Sequence, residues 1–430
     1  MSDSVEFQIE DQEFVLKPDN ELRFEVENKN ETVVLELKTG LAEIFGTELI
    51  KSKLYTFYFG AKIAVFTWQG CTLRLRGKKG ISYIAKETPM MFYLNCHASL
   101  EQLRVKSEKE KMKGPITMIV GPTDVGKSTL CRILLNYSAR MNALGRRPIY
   151  VDLDPGQGQI SVPGTIGAVV VEKPAEVDES FSQAAPLVYH YGHTTMSINS
   201  TLYNTLISRM AEVIHQRMDE NPRINCSGLI INTCGWIKGK GYQHLIHIAL
   251  AFEVDVILVL DQERLYNELV RDMPVFVKVV LLPKSRGVAE KSNKFRCEGR
   301  EARIREFFYG SPRNVLHPHT CIVRFSDIKV YRIGVLPIPN TLMPIDMQKT
   351  DLETKLQPVT PGPNMMHHVL ALSFSTMVEE DVVRNSVAGF VCVTNVDTSK
   401  KMLTLLSPQP KPLPETIYLM SDVQFMDNNA

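Results

Sequence analysis

From Leu22 the segment Leu-Arg-Phe-Glu-Val-Glu sets apolar and polar side chains on opposite faces, and Val33, Leu35 and Leu37 repeat the alternation against Glu36 and Lys38. This period of two predicts half-buried antiparallel strands. Residues 62–68 and 80–85 are likewise β-rich and separated by glycines, so 1–98 reads as a small β domain. The next stretch, SLEQLRVKSEKEKMKG, is charged and rich in helix formers, which predicts a surface linker helix over 99–113. The pattern then changes. ITMIV (116–120) reads as a buried strand, followed by a glycine-containing loop and by Leu130, Ile133, Leu134 and Tyr137 at helical spacing. IYVDLD (149–154), LIINTCGW (from 229) and VILVLD (256–261) give further strands, with helical segments such as 199–217 between them. Strands alternating with helices predict an α/β unit over 114–317, a mostly parallel sheet with helices on both faces. From 318 to 430, short strands punctuated by PIPN, TPGPN and SPQPKPLP predict a C-terminal β-rich domain, with an irregular loop at 358–364.

Length agrees with that division, because 430 residues exceed one comfortable core. A composition of 44% hydrophobic and 23% charged residues is that of a globular protein. The formal net charge of +1 argues against coating nucleic acid by charge alone, so any such contact is small and placed. The eight cysteines lie far apart, without zinc-knuckle or redox spacing, and reduced thiols are expected. The acidic amino terminus lacks the apolar segment of a secretory signal. The longest apolar stretch, 248–260, is broken by Glu253 and Asp255 and is too short to cross a membrane. A soluble protein of the cytosol or nucleus is the expectation.

GPTDVGKST (121–129) fits GxxxxGK[ST] and falls between a buried strand and an amphipathic helix, where a phosphate-binding loop must lie. Gly121, Asp124, Val125 and Gly126 belong to the curl whose N–H groups meet the phosphates of ATP, aided by the helix dipole. Lys127 is expected to reach the β- and γ-phosphates, Ser128 to ligate Mg²⁺, and Thr129 to touch the α-phosphate. The α/β unit is thus of the P-loop NTPase type.

A P-loop does not name a reaction, and neighbouring carboxylates must decide. Asp152 and Asp154 lie two apart on one strand, so both point to the same face at the sheet's ligand-binding edge. One can hold Mg²⁺ through water while the other accepts the proton of an attacking hydroxyl. Asp154, nearer the strand end, is preferred as base and Asp152 as metal partner; the reverse assignment, or a turn-capping role for one of them, stays open. Neither the LSGGQ signature of transporter ATPases nor a guanine-reading NKxD is present. Gly156-Gln157-Gly158 after the aspartates points to a kinase acceptor site, with Gln157 as a substrate contact.

GPTDVGKST, the 152–158 run, LVYHYG at Leu187, INTCGW at Ile231 and FEVDVILVLDQERLYNEL at Phe252 together resemble the eukaryotic polyribonucleotide 5′-hydroxyl-kinase family. That family is the RNA kinase found with pre-mRNA cleavage complex II and, in animals, with the tRNA-splicing endonuclease complex. The resemblance runs through nearly the whole chain, from ELRFEVE and GAKIAVFTW to SVAGF and LSPQPKPLP. The chain departs by having Asp152 where animal relatives can have Glu, and by extra residues at 141–144. The resemblance implies transfer of the γ-phosphate of ATP to RNA bearing a 5′-hydroxyl, in a nuclear protein that joins both complexes. It also implies that the amino-terminal domain closes on the adenine through Glu21 and Lys62, which sequence physics alone reads as solvated strand-edge charges.

Thr233, Gly235 and Trp236 follow a buried strand; by itself Trp236 reads more often as core than as a platform for a base, and the resemblance implies that the segment is a clasp over the RNA end, with Trp236 as a stacking platform. Basic residues dominate 284–305, and on a helix Arg296, Arg300 and Arg303 share one stripe. A solvated charged helix is the plain reading. The resemblance implies a lid in which Arg296 and Arg300 meet the moving phosphoryl group and Arg303 the RNA. Two rivals remain: an ATP-bound scaffold subunit without turnover, and a small-molecule kinase.

Overall fold

A computed structural model describes residues 11–427 apart from 29, 78–79, 142–143, 178–180, 182–184, 313 and 335–351. The PIPN segment and part of the 141–144 insertion lie outside the described residues.

The amino-terminal strands form two sheets around one core. In the strand Val33–Gly40, Val33, Leu35 and Leu37 are buried while Val34, Glu36 and Lys38 are partly open, as the alternation predicts. The strand Glu21–Glu25 differs from that expectation. It pairs antiparallel with both Lys62–Phe66 and Ser82–Ala85, so it is an interior strand, and Glu21 and Arg23 are buried with Leu22 and Phe24.

The charged segment after it is also not a surface linker. Helix α1 runs Met90–Glu110, starting before the expected position 99, and buries Met90, Tyr93, His97, Leu100 and Arg104. Its inner charges are satisfied within the fold. Arg104 donates Nε to the Ser227 carbonyl at 2.9 Å, and Glu101 accepts from Arg104 at 3.3 Å and Arg146 at 2.7 Å. A buried charge is tolerable when it is paired and hydrogen-bonded.

The central sheet has the order Leu187–His190, Thr165–Val170, Ile149–Asp152, Leu229–Asn232, Ile116–Val120, Val256–Leu260, Lys278–Leu282. The five strands from Ile149–Asp152 to Lys278–Leu282 are mutually parallel, and the other two add antiparallel at one edge. The P-loop strand is flanked on both sides and wholly buried. Around the sheet lie α2 (Lys127–Arg140), α3 (Ser200–Glu220), α4 (Pro222–Ser227), α5 (Lys240–Ala251), α6 (Glu263–Asp272) and α7 (Asn293–Tyr309). Asn199 caps α3 by accepting the Leu202 N–H, and Ser292 caps α7 by accepting the Phe295 N–H. No helix among the described residues is long and apolar enough to cross a membrane.

The carboxy-terminal sheet has seven strands, with Leu356–Pro358 at one edge; a short 3₁₀ turn, Pro363–Met365, follows within the segment expected to be irregular. Its two faces serve different cores: Val369 and Ala371 join the core of the central unit, whereas Leu370 and Leu372 join a separate one. That is the period of two of a strand buried on both sides. Side chains fasten the outer units to the centre. Asn136 of α2 donates to the Phe45 carbonyl at 2.8 Å, Arg140 meets Glu43 at 2.7 Å, and His193 meets Asp422 at 2.6 Å.

Candidate active site

Where the strand Ile116–Val120 stops, the chain turns sharply into α2, and a cavity of about 380 Å³ opens between this turn, the amino-terminal sheets and the segment leading into α7. Asp124, Val125, Gly126, Lys127, Ser128 and Thr129 line its floor. Gly121 sits behind them. Its carbonyl accepts Lys127 Nζ at 3.0 Å, and the Pro122 carbonyl accepts the same ammonium at 2.7 Å. Burial depresses the Lys127 pKa, partly offset by Asp154.

The two aspartates, alike in sequence, have different surroundings. Asp152 is wholly buried. Its Oδ1 accepts Asn232 Nδ2 at 3.0 Å and the Asp154 N–H at 3.2 Å, and its Oδ2 accepts the Gln159 N–H at 2.8 Å and the Tyr150 hydroxyl at 3.1 Å. Burial, with Asp154 adding repulsion, pushes its pKa up to about 6. Asp154 lines the cavity. Its Oδ1 accepts the Gly156 and Gln157 N–H groups at 2.9 and 3.0 Å, while Oδ2 takes no protein donor among the described residues. Asp152 therefore shapes the turn, and of the two only Asp154 lines the cavity.

Gln157, Thr233 and Gly235 border the cavity beside Asp154. Thr233 is anchored by its hydroxyl, which donates to the Ile119 carbonyl at 2.8 Å. A Cβ on Gly235 would meet the Thr123 nitrogen at 2.6 Å, so only glycine lets this segment approach the P-loop so closely. Trp236 does not line the cavity. It is half-buried, with its ring over Gly241 and 5.9 Å from that of His244, because the chain turns at this point into α5.

The arginine stripe also separates. Arg296 reaches the cavity and pairs with Asp124 at 2.5 Å. Arg300 lies outside it, donating to Cys297 Sγ at 3.0 Å, and Arg303 bonds Glu306 and the Gln159 carbonyl. A shared stripe on α7 does not ensure a shared destination, since the cavity touches only the first turn of the helix.

On the opposite wall, Glu21 and Lys62 both line the cavity. Lys62 pairs with Glu25 at 2.5 Å and Glu21 with Arg23 at 3.0 Å; burial raises the Glu21 pKa. Sequence reasoning missed Arg23, which also bonds the Ser285 hydroxyl at 3.1 Å and lies over the Tyr83 ring. Its position, two residues after Glu21 on one strand, is the signal that could have found it. Nothing local in the sequence marks Tyr83, Ser285 or Val288 as cavity residues.

Three family models match the chain in order: an N-terminal beta-sandwich domain of polyadenylation factor over 15–107, the P-loop of mRNA cleavage and polyadenylation factor CLP1 over 121–310, and the pre-mRNA cleavage complex II protein Clp1 over 316–427. The chain is 58% identical to a protein CLP1 homolog of Anopheles gambiae over 97% of its length and 98% of the relative's. It is 56% identical to the polyribonucleotide 5′-hydroxyl-kinase Clp1 of Homo sapiens, covering 96% of each. Among solved structures, Clp1p in complex with Pcf11p has the same fold, with a TM-score of 0.84 at 24% identity over 97% of this chain and 99% of that one.

Proposed function

The chain belongs to the Clp1 family of mRNA cleavage and polyadenylation factors, and on that premise we propose that it is an ATP-dependent kinase for the 5′-hydroxyl end of RNA. One observation carries this reading: Asp154, whose Oδ2 takes no donor among the described residues, lines the same cavity as Lys127, Ser128, Thr129 and Arg296. A proton acceptor, a phosphate-binding loop and a guanidinium around one space are what phosphoryl transfer to a hydroxyl requires.

In this reading the backbone N–H groups of the P-loop and Lys127 hold the triphosphate, with Lys127 leaving the Gly121 and Pro122 carbonyls to do so. The 5′-hydroxyl enters beside Gln157, Thr233 and Gly235, and Asp154 takes its proton as the oxygen attacks the γ-phosphorus and the bond to the β,γ-bridging oxygen breaks, releasing ADP. Arg296 meets the charge spreading over the transferring group. Glu21, Lys62 and Arg23 face the adenine end. No cluster of three or more acidic, histidine or cysteine side chains able to hold a metal occurs among the described residues. Ser128 lines the cavity, and its hydroxyl would hold Mg²⁺ together with phosphate oxygens and water, while Asp152, buried with both oxygens bonded within the protein, would act at most through water. Bound there, Mg²⁺ would neutralise charge on the β- and γ-phosphates. RNA-processing assemblies of the nucleus, pre-mRNA cleavage complex II and the tRNA-splicing endonuclease complex, are the proposed setting.

The test is transfer of labelled γ-phosphate from ATP to a 5′-hydroxyl oligoribonucleotide, with an oligodeoxyribonucleotide and a free nucleoside beside it. Labelling of the RNA is the expected result. Tight ATP binding without any transfer would instead leave a nucleotide-bound scaffold, and labelling of the nucleoside alone would indicate a small-molecule kinase.

A further inference from the structure

One carboxylate ties the root of the lid to the P-loop. Asp124 has φ 56°, in the left-handed region that aspartate tolerates better than most side chains but still at some strain. From there its Oδ2 accepts the Lys291 N–H at 3.0 Å and Arg296 Nη2 at 2.5 Å. Arg296 Nε donates to the Lys291 carbonyl at 3.2 Å, which closes a ring through both residues. Just before this ring, Val288 rests on the loop, since a Cβ on Gly126 would lie 3.2 Å from Val288 Cγ2. The pair is well shielded, with side-chain exposures of 21% for Arg296 and 16% for Asp124.

This arrangement has a chemical consequence. A carboxylate beside a triphosphate site repels the substrate unless a cation neutralises it, and Arg296 does so here. Two of the five guanidinium N–H groups hold the ring, and Nη1 takes no protein acceptor among the described residues, although Arg296 lines the cavity. Holding a long side chain in one rotamer before the reaction removes an entropic penalty from the transfer step.

We propose that Asp124 is a positioning residue for phosphoryl transfer: it fixes the Arg296 guanidinium over the P-loop so that the free Nη1 meets the phosphoryl group in transit. The proposal rests on the kinase reading above. Asp124 does not contact the reacting atoms; it acts through Arg296. A purely structural role, as a distant cap for α7, would change stability without a specific loss in the transfer step.

The experiment compares kcat and KM for ATP on a 5′-hydroxyl oligoribonucleotide for wild type, Asp124→Asn, Arg296→Gln and the double variant. Asp124→Asn is expected to lower kcat by about ten- to a hundredfold, with KM for ATP changed less than about twofold. The double variant should be no slower than Arg296→Gln alone, because the two residues act as one unit. An unchanged kcat in Asp124→Asn, or losses that multiply in the double variant, would overturn the proposal while leaving the kinase reading intact. Hydrogen exchange at the Lys291 amide needs no turnover and separates the two failures: it should quicken in Asp124→Asn. Unchanged protection there overturns the latch even if the wild-type chain transfers no phosphate. Asp124→Ser takes the same place in both measurements should the asparagine variant not fold.

Discussion

On the phosphate side of the cleft, every group except Arg296 of α7 comes from a turn that closes a buried strand of one sheet. Lys127 and Ser128 follow Ile116–Val120, Asp154 follows Ile149–Asp152, and Thr233 follows Leu229–Asn232. Their positions are set by backbone and by short-range hydrogen bonds such as those from the Gly156 and Gln157 N–H groups to Asp154. The opposite wall is put together across units. Glu21 and Arg23 come from an interior strand of the amino-terminal sheets, Ser285 and Val288 from the segment leading into α7, and Tyr93 of α1 holds that segment by donating to the Pro283 carbonyl at 3.1 Å. On the proposed reading, the first side is the rigid edge that does chemistry and the second a joint that holds the nucleotide, so its contacts are expected to act on binding more than on rate.

Breaking the rigid edge should have the largest effects. Lys127→Ala is expected to reduce RNA phosphorylation by about a thousandfold, the scale of losing a charged stabiliser of the transferring group, in a single-turnover assay at saturating ATP. Comparable activity in that variant would remove the P-loop from the reaction. Asp154→Asn keeps the shape and the bonds to the turn but cannot accept the proton. A loss of about a hundredfold in kcat with ATP affinity intact is expected; equal losses in affinity and rate would assign Asp154 to binding instead.

Asp152 sharpens the contrast within the edge itself, because its burden is structural. Asp152→Asn sets an amide N–H₂ against at least one of four donors and should cost about 1–3 kcal/mol in urea unfolding at pH 7.5. The pH dependence has a definite sign. The folded-state pKa is raised from 3.8 to about 6, so the folded protein binds this proton more tightly than the unfolded chain. Between about pH 6 and 4, wild type should therefore gain stability relative to Asp152→Asn as pH falls, and a constant difference over that window would contradict the assignment. The smallest effect belongs to the joint. Glu21→Gln is expected to raise KM for ATP about fivefold, as for one lost hydrogen bond, while kcat stays within error. A fall in kcat would show that the amino-terminal unit takes part in the chemical step.

What the sequence determined is what local pattern can encode. GPTDVGKST after a buried strand and before an amphipathic helix leaves one geometry for the loop, and Val33, Leu35 and Leu37 leave one inner face for their strand. The spacing of Asp152 and Asp154 placed both at one sheet edge, yet could not say which would be sealed by Tyr150, Gln159 and Asn232 and which would open on the cavity. Charge misled where burial depends on distant partners: α1 looked solvated because Ser227 and Arg146, which satisfy its inner charges, lie far along the chain. For the same reason the pattern put Arg296, Arg300 and Arg303 on one stripe without separating their surroundings, and it left Trp236 between core and stacking platform. A helix period fixes which residues share a stripe, but only the packing of α7 and α5 against their neighbours decides which part of that stripe meets the cleft.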